Sequence, residues 1–398
     1  RTLAHMSKTV IKDTLEFPAN LRTYRNLFLV GVVFLIISVV GYFVDHEQFF
    51  FSYLTSFVFY ASIGLAALFF VMLQHLTRSE WSVVLRRIPE AFSSNLFIWA
   101  LFFIPILFGM HTLYHWTHAD AVATDPVLQG KEPYLNTTFF IIRQVIYFLV
   151  WGYLGYRLHK YSVQMDQTAD WGLQTLLRRT SGPGILVYAI TFMFATTDWL
   201  MSLDPHWYST IFSVYIFSMS LQAFFAVLVL MIFYLKRKGV LVHSINDSHM
   251  YDIGVQLFGF TVFYAYIAFS QFLLIYYANI PEEVVWFQHR LEGGYEYLAW
   301  ALLLVRFTIP FIFLLAKPAK TNRANLIVMS VIILVMHFIE LYWIAMPVHY
   351  HHLHFNWLDL TTLIGMGGIF MGLFFYRYSK NSVLPKNDPK LGPSLEKH

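Results

Sequence analysis

The sequence predicts an all-α integral membrane protein with ten transmembrane helices, and three observations support that prediction. Of the 398 residues, 58% are hydrophobic and only 13% are charged, whereas an average soluble domain is about 25% charged. Ten apolar runs are long enough to cross roughly 30 Å of hydrocarbon. Lysine and arginine are concentrated in alternate connections between those runs, as expected when basic loops stay on the cytoplasmic side of a membrane.

The ten apolar runs follow one another along nearly the whole chain and define its elements. The polar residues before and after them, 1–25 and 379–398, are predicted to form a cytoplasmic N-terminal segment and a cytoplasmic tail. The runs cover residues 26–44, 52–74, 92–113, 138–158, 185–203, 209–235, 251–278, 295–315, 324–346 and 357–378.

Basic residues fix the predicted orientation of these helices. Of the 27 lysines and arginines, 23 lie in or beside the terminal segments and the connections that follow the second, fourth, sixth and eighth runs. The opposite connections contain Lys131 and Arg290, while Arg143 and Arg306 lie within runs. The positive-inside rule therefore places both termini in the cytoplasm.

Two carboxylates lie inside apolar runs, each seven residues before a proline and directly or closely followed by a tryptophan. Asp198 precedes Pro205 in the fifth run, and Glu340 precedes Pro347 in the ninth. Inserting an acid at such a depth costs about 2.5–3.5 kcal/mol on translocon scales, so an intramembrane acid indicates a functional site.

The matching positions of the two acids indicate a faint internal repeat. Residues 52–203 and 209–346 are predicted to form two four-helix bundles, related by an axis along the membrane normal. The runs 26–44 and 357–378 are then flanking helices. Each predicted bundle also carries one arginine in its third helix, Arg143 or Arg306.

The ionisable groups at membrane depth favour a proton route. Arg306 and His337 are predicted near the middle of the membrane, and Asp198 and Glu340 about 6 Å further out at 1.5 Å rise per residue. His337 and Glu340 share a helix face because they are three residues apart. A carboxylate, an arginine and a histidine together can exchange protons. The alternative is a static arginine–carboxylate pair that only holds the helices together.

The seventh run carries polar residues at helical spacing that would connect this site with the cytoplasm. His249 stands at the start of the run, followed by Asp252, Gln256, Tyr264 and Gln271. Such a ladder on one helix face is typical of a water-assisted proton wire. The alternative is ordinary interhelical hydrogen bonding, worth about 0.6 kcal/mol per contact on average.

Cofactor sites are constrained by the composition. The chain has no cysteine, so it cannot itself hold cysteine-ligated iron–sulfur clusters or covalently attached c-type haem. Intramembrane b-type haem needs two facing histidines, and only His337 lies deep enough. The histidines of 349–354 and of 111–118 fall in outer connections, where histidines are mostly solvated, and we expect no metal site. A quinone site formed by His111, Arg143 and Asp198 stays open as an alternative.

Two stretches resemble a known family of membrane subunits. The sequence TDWLMSLDPHWYST at 197–210 and YAYIAFSQFLLIYYANIP at 264–281 are similar to members of the NrfD-like family, the membrane subunits of polysulfide reductases. The closest resemblance is to the second, "quinone-binding" NrfD-like subunit of bacterial alternative complex III, a quinol:cytochrome c or quinol:oxidase oxidoreductase. The resemblance covers about residues 20–378.

This resemblance implies a place in a respiratory electron-transport complex of the bacterial inner membrane. Partner subunits would be a sister NrfD-like quinol-binding subunit, an iron–sulfur protein and c-type cytochromes, which would hold the iron–sulfur clusters and haems. This chain would work beside the lipids and the quinone pool, without nucleic acid and without catalytic residues of its own. It would provide a proton route, with a quinone-binding subunit as the alternative and a stand-alone secondary transporter as a weaker one.

Overall fold

The computed structural model describes residues 13–18 and 24–397. Over these ranges the chain is helical without strands, and ten of its helices are long and apolar enough to cross a membrane. The predicted fold class is confirmed at that level. Residues 1–12 and 19–23, most of the predicted N-terminal segment 1–25, lie outside the described residues.

The ten long helices, numbered in chain order, correspond one to one with the predicted apolar runs. They are α1 (Tyr24–Tyr42), α2 (His46–Leu76), α3 (Arg87–Phe108), α4 (Thr137–Thr168), α5 (Gly172–Leu203), α6 (Phe212–Arg237), α7 (Asp247–Ala278), α8 (Tyr295–Leu315), α9 (Arg323–Val348) and α10 (Trp357–Tyr378).

Several helices extend beyond their apolar runs, because hydropathy marks the hydrocarbon crossing and not the length of the helix. α5 begins at Gly172, well before residue 185, and its first turns carry the polar Arg178 and Arg179. α4 likewise continues to Thr168. At its start, α2 is capped by Asp45, whose side chain accepts a hydrogen bond from the backbone nitrogen of Gln48 at 3.0 Å.

α2 is the central helix of the molecule. Of its most apolar window, 83% is buried by other parts of the chain, against 17% for α1. It packs against α3 and α5 on one side and against α6 and α9 on the other, and α10 also lies along it. We call α2–α5 and α6–α9 the first and second helix groups, and α2 is therefore shared between the packing of both.

α1 is fastened to α10 through glycines. A Cβ atom added at Gly31 would lie 2.8 Å from the backbone nitrogen of Ile369, and one added at Gly368 would lie 2.6 Å from the Cα of Gly31. Small residues permit such close helix approach in membranes. A larger side chain at either glycine would push the two helices apart.

One end of the molecule, which we call the tail face, is formed by residues 13–18, 239–246 and 379–397. The backbone nitrogen of Val383 donates to Leu15 O at 2.9 Å, and Asp13 accepts from Ser244 Oγ at 2.6 Å. In the tail, Asp388 forms a buried ion pair with Arg86. Burial opposes the charged form of Asp388, but the guanidinium of Arg86 outweighs it and lowers the pKa of this carboxyl group.

Candidate functional site

The two intramembrane acids predicted from the sequence lie in separate sites, one in each helix group. Asp198, near the end of α5, is completely buried. Arg143 of α4 binds it in a bidentate manner, with Nε 2.9 Å from Oδ2 and Nη2 2.9 Å from Oδ1. The sequence placed both residues in one candidate quinone site, and the structure brings these two together.

Three further donors complete the shell of the Asp198 carboxylate. Tyr134 Oη donates to Oδ1 at 2.9 Å, Tyr147 Oη to Oδ2 at 2.9 Å, and Gln144 Nε2 to Oδ2 at 3.2 Å. The guanidinium of Arg143 lies 3.9 Å from the ring centroid of Tyr134. Five donated hydrogen bonds exceed the four lone-pair positions that a carboxylate offers, so Asp198 is saturated.

A connecting segment between α3 and α4 covers the Asp198 site. It contains the short helix Pro126–Lys131, whose cap Asp125 accepts a hydrogen bond from the backbone nitrogen of Val127 at 2.8 Å. Lys131 Nζ donates to Pro205 O at 2.5 Å, and His206 Nε2 lies 2.5 Å from Asp125 Oδ2. The hydrogen bond with His206 lowers the pKa of Asp125.

Glu340 is the centre of the second site, in the second helix group. Arg306 Nη1 of α8 lies 2.5 Å from Glu340 Oε2, but the contact is too poorly aligned to count as a hydrogen bond. Glu340 Oε1 accepts hydrogen bonds from the hydroxyls of Tyr215 and Tyr264, the latter at 2.9 Å. This carboxylate therefore has one well-bonded oxygen and one that is held by charge alone.

Arg306 lies on a π-helical stretch of α8, Leu302–Thr308. Such stretches displace one residue from the regular helical ladder and are frequent at functional sites. Besides Glu340, Arg306 reaches three oxygen acceptors on neighbouring helices: Gln222 Oε1 at 3.2 Å, Met336 O at 3.1 Å and Met219 O at 3.5 Å.

His337 joins this site through Arg306. Its Nδ1 lies 3.3 Å from Arg306 Nη2 and its Nε2 lies 3.0 Å from Ser62 Oγ of α2. Because the Ser62 hydroxyl donates to Phe59 O at 2.8 Å, the ring must donate through Nε2–H and accept through Nδ1. Both contacts thus require the same neutral tautomer of His337. The predicted grouping of Arg306, His337 and Glu340 is found in the structure.

A cleft of about 530 Å³ borders the Glu340 site between α7, α8 and α9. Its polar lining groups are Tyr215, Tyr264, Gln271 and Glu340, and the rest of the lining is aromatic or aliphatic. We call it the Glu340 cleft. Two predicted ladder residues, Tyr264 and Gln271, therefore lie at this cleft.

The ladder residues nearer the start of α7 lie toward the tail face. Gln256 lines a smaller cavity of about 220 Å³ between α2, α6 and α7, together with Gln74 and Ser79. Leu221 and Phe260 line the same cavity. They precede Gln222 and Thr261, which are joined by a hydrogen bond of 3.1 Å from Gln222 Nε2 to Thr261 Oγ1.

The first ladder residues, at the start of α7, are covered by the tail. His249 Nε2 lies 3.0 Å from Ser394 O, and Lys397 forms an ion pair with Asp252. The structure therefore divides the predicted ladder into a tail-face part, a cavity part and a cleft part.

The histidines in the outer connections are engaged in local contacts. His111 stacks on His118 with ring centroids 3.8 Å apart, and no hydrogen bond joins it to Arg143 or Asp198 in the described chain. His349 Nε2 lies 2.9 Å from Glu47. Within the described ranges, no three histidine, aspartate or glutamate side chains converge to hold a metal ion.

Sequence reasoning missed several groups of both sites. Tyr147 lies four residues after Arg143, so helical spacing from the arginine could have found it, whereas Gln144, one residue after Arg143, gave no such signal. Tyr215 and Gln222 lie in an apolar run without a charged neighbour and gave no signal. Asp359, near the start of α10, accepts from Ser52 Oγ at 2.5 Å; at that position it resembles an ordinary helix cap.

Comparison of this chain with the models of known protein families and with curated proteins finds no match. The resemblance to the NrfD-like family therefore stays a prediction.

Proposed function

We propose that this chain is an integral membrane subunit of a respiratory quinol:cytochrome c or quinol:oxidase oxidoreductase, which provides a transmembrane proton route coupled to quinol oxidation. In this proposal α2–α5 and α6–α9 are two four-helix bundles, α1 and α10 flank them, and both termini lie in the cytoplasm of a bacterium. The redox cofactors belong to partner subunits, among them a sister NrfD-like subunit.

The observation that supports this proposal is the position of Glu340 between two cavities. On one side it borders the Glu340 cleft. On the other, Arg306, Gln222 and Thr261 form a hydrogen-bonded series. Gln222 and Thr261 directly follow, in sequence, Leu221 and Phe260, which line the cavity together with Gln256. A carboxylate placed in this way has polar neighbours toward both faces of the molecule, which a proton route requires.

The proposed cycle moves one proton through the Glu340 carboxyl group. When Glu340 is ionised, its charge is compensated by Arg306, and Tyr215 and Tyr264 donate to Oε1. A proton delivered through water from the Gln256 cavity neutralises the carboxylate and leaves Arg306 with its four other acceptors. Release of that proton toward the cleft restores the ion pair.

His337 has a positioning role in this cycle. Its Nδ1 accepts from Arg306 and its Nε2 donates to Ser62, so it links the arginine of the second group to α2. A protonated His337 would place a second positive charge beside Arg306. The neutral ring adds no positive charge beside Arg306, so it does not disturb the ion pair between Arg306 and Glu340.

The test is proton translocation in membrane vesicles that contain the whole complex. We expect Glu340→Gln to preserve assembly and the haem and iron content while lowering the number of protons moved per electron. The matched control is Glu282→Gln on the exposed short helix Pro281–Gln288. An unchanged proton stoichiometry in Glu340→Gln would refute the proposal, and purification of the chain without haem or iron would instead favour a stand-alone transporter.

A further inference from the structure

The Glu340 cleft contains a buried polar group without a partner. The side chain of Gln271 lines the cleft and the residue is 3% exposed. Its Oε1 atom accepts no hydrogen bond from any described residue. Buried polar groups nearly always have a partner, so this carbonyl oxygen indicates a donor that is not part of the chain.

The lining and the volume of the cleft suit a ring-bearing ligand. Its walls are aromatic, from Phe272 and Phe287 among others, while Ala268 of α7 and Ala299 of α8 contribute only methyl groups. The volume of about 530 Å³ lies within the range of roughly 300–1,000 Å³ that small-molecule sites occupy. Aromatic walls favour stacked or edge-on contacts with another ring.

The opening of the cleft faces the surroundings of the helices. Phe269, Trp300 and Leu303 line it and are 59%, 61% and 49% exposed, respectively. These residues lie within candidate membrane spans, where large apolar side chains face hydrocarbon. A ligand would therefore enter sideways from the membrane.

The ionisable group that lines the base of the cleft is an acid. Glu340 lines the cleft, whereas its counter-ion Arg306 does not. A fatty acid or a phosphate headgroup would therefore bring a negative charge against the Glu340 carboxylate, and like charges repel at short range. A hydroxyl group, in contrast, can donate to Gln271 Oε1, which has no partner among the described residues.

We propose that the Glu340 cleft binds a neutral, ring-bearing molecule of the membrane whose hydroxyl group donates to Gln271 Oε1. Hydroquinones and hydroxylated polycyclic lipids share this chemistry. The site involves binding only, and it does not require that Glu340 carry protons.

Photolabelling of the complex in its native membranes tests this site. Three photoreactive probes are compared: a short-chain hydroquinone, a hydroxylated sterol and a phosphatidylcholine. We expect one of the two hydroxyl-bearing probes to label peptides of α7 or α8 that line the cleft, and the labelled probe identifies the source of the ligand. Equal labelling by phosphatidylcholine, or no labelling of these peptides by either ring probe, would overturn the proposal.

Two kinds of variant test whether labelling depends on the hydrogen bond to Gln271 or only on the space in the cleft. Gln271→Leu removes the acceptor at nearly constant size, and we expect labelling to fall roughly threefold to tenfold, the loss of one hydrogen bond. Ala268→Trp should abolish labelling, whereas Val262→Trp, on the exposed side of the same helix, should not. Full labelling of Gln271→Leu would show that the assigned contact is wrong.

Glu340→Gln distinguishes this proposal from the proton route. The glutamine keeps an acceptor oxygen at the base of the cleft, so labelling should persist while proton translocation falls. Loss of proton translocation without any labelling of the wild type would leave the proton route standing and reject the ligand site.

Discussion

The sites around Asp198 and Glu340 are built from the same residue types but differ in how completely the acid is satisfied. Both pair a carboxylate with an arginine from a neighbouring helix and add two tyrosine hydroxyls. Asp198 receives five hydrogen bonds from four side chains. Glu340 receives two and borders a cleft.

The two arginines differ in the opposite direction, in the number of acceptors that each has besides its acid. Arg143 has one acceptor besides Asp198, the backbone oxygen of Tyr134 at 2.8 Å, whereas Arg306 has four besides Glu340. Removing the charge of Asp198 would leave Arg143 with few other acceptors, while Arg306 keeps four. In the proposed function, Asp198 is therefore a brace in the first helix group and Glu340 is the exchangeable group in the second.

The largest expected effect is the loss of stability on removing the charge of either acid, and its size tests the difference between the two sites. Asp198→Asn removes the counter-charge of the buried Arg143 and one of the two oxygens that bind it, and we expect a loss of about 3–5 kcal/mol in the free energy of unfolding. Glu340→Gln should cost only about 1–3 kcal/mol, because Arg306 keeps its other acceptors. Thermal unfolding of the purified complex measures both. A larger loss for Glu340→Gln would reverse the assignment of the two roles.

Replacing each whole ion pair by apolar residues sharpens the comparison. Buried pairs replaced by apolar groups of similar volume often leave stability unchanged or improved by about 1–4 kcal/mol. We expect Arg143→Met with Asp198→Leu to recover most of the stability lost by either single change and to keep proton translocation. Arg306→Met with Glu340→Leu should recover stability without recovering translocation. Both quantities are measured on the same preparations.

One buried glutamine in each site, Gln222 beside Arg306 and Gln144 beside Asp198, offers a smaller and matched test. Gln222→Leu interrupts the contact between Arg306 and Thr261, and proton translocation should fall. Gln144→Leu removes an acceptor from Trp199 Nε1, 2.7 Å away, and should cost about 1–3 kcal/mol without changing translocation. Equal effects of the two variants on translocation would contradict a route confined to the second helix group.

The tail contacts both helix groups through ion pairs, and we expect the smallest effects there. Asp388 is buried against Arg86, just before α3, whereas Lys397 pairs with Asp252 of α7 with both side chains partly exposed. Lys397→Ala should therefore cost less than about 1 kcal/mol, and Asp388→Asn should release the tail. The chain has no cysteine, so a fluorescent dye can be attached to the single cysteine of a Pro393→Cys variant. The anisotropy of this dye reports whether the tail is docked on the helices.

The same dye tests the pH dependence of tail docking. Because the pKa of Asp388 is lowered in the folded chain, its contribution is complete above the ordinary aspartate value of about 3.9. It is lost as the pH falls through the lower folded value. Docking should therefore be constant from neutral pH to about pH 4 and weaken below. Release of the tail at pH 6 would show that another group controls it.

Much of the fold follows from local patterns in the sequence. Runs of apolar residues predicted all ten long helices, because a chain in hydrocarbon must satisfy its backbone hydrogen bonds within each segment. The intramembrane charges Asp198, Glu340, Arg143 and Arg306 stood out for the same reason, since their insertion is costly. The pairs Arg143–Asp198 and Arg306–Glu340 themselves are seen in the structure. The polar helix ends, such as the start of α5 at Gly172, gave no apolar signal.

The sequence by itself determined the helices, the predicted orientation and the residues that carry charge at membrane depth, because hydropathy and charge are properties of each residue. Only the tertiary structure decided that Asp198 is saturated while Glu340 borders a cleft. That difference depends on Tyr134, Tyr215 and Gln222, uncharged residues of other helices or distant segments. Their directions are set by helix packing across long separations in the chain, which no local pattern records.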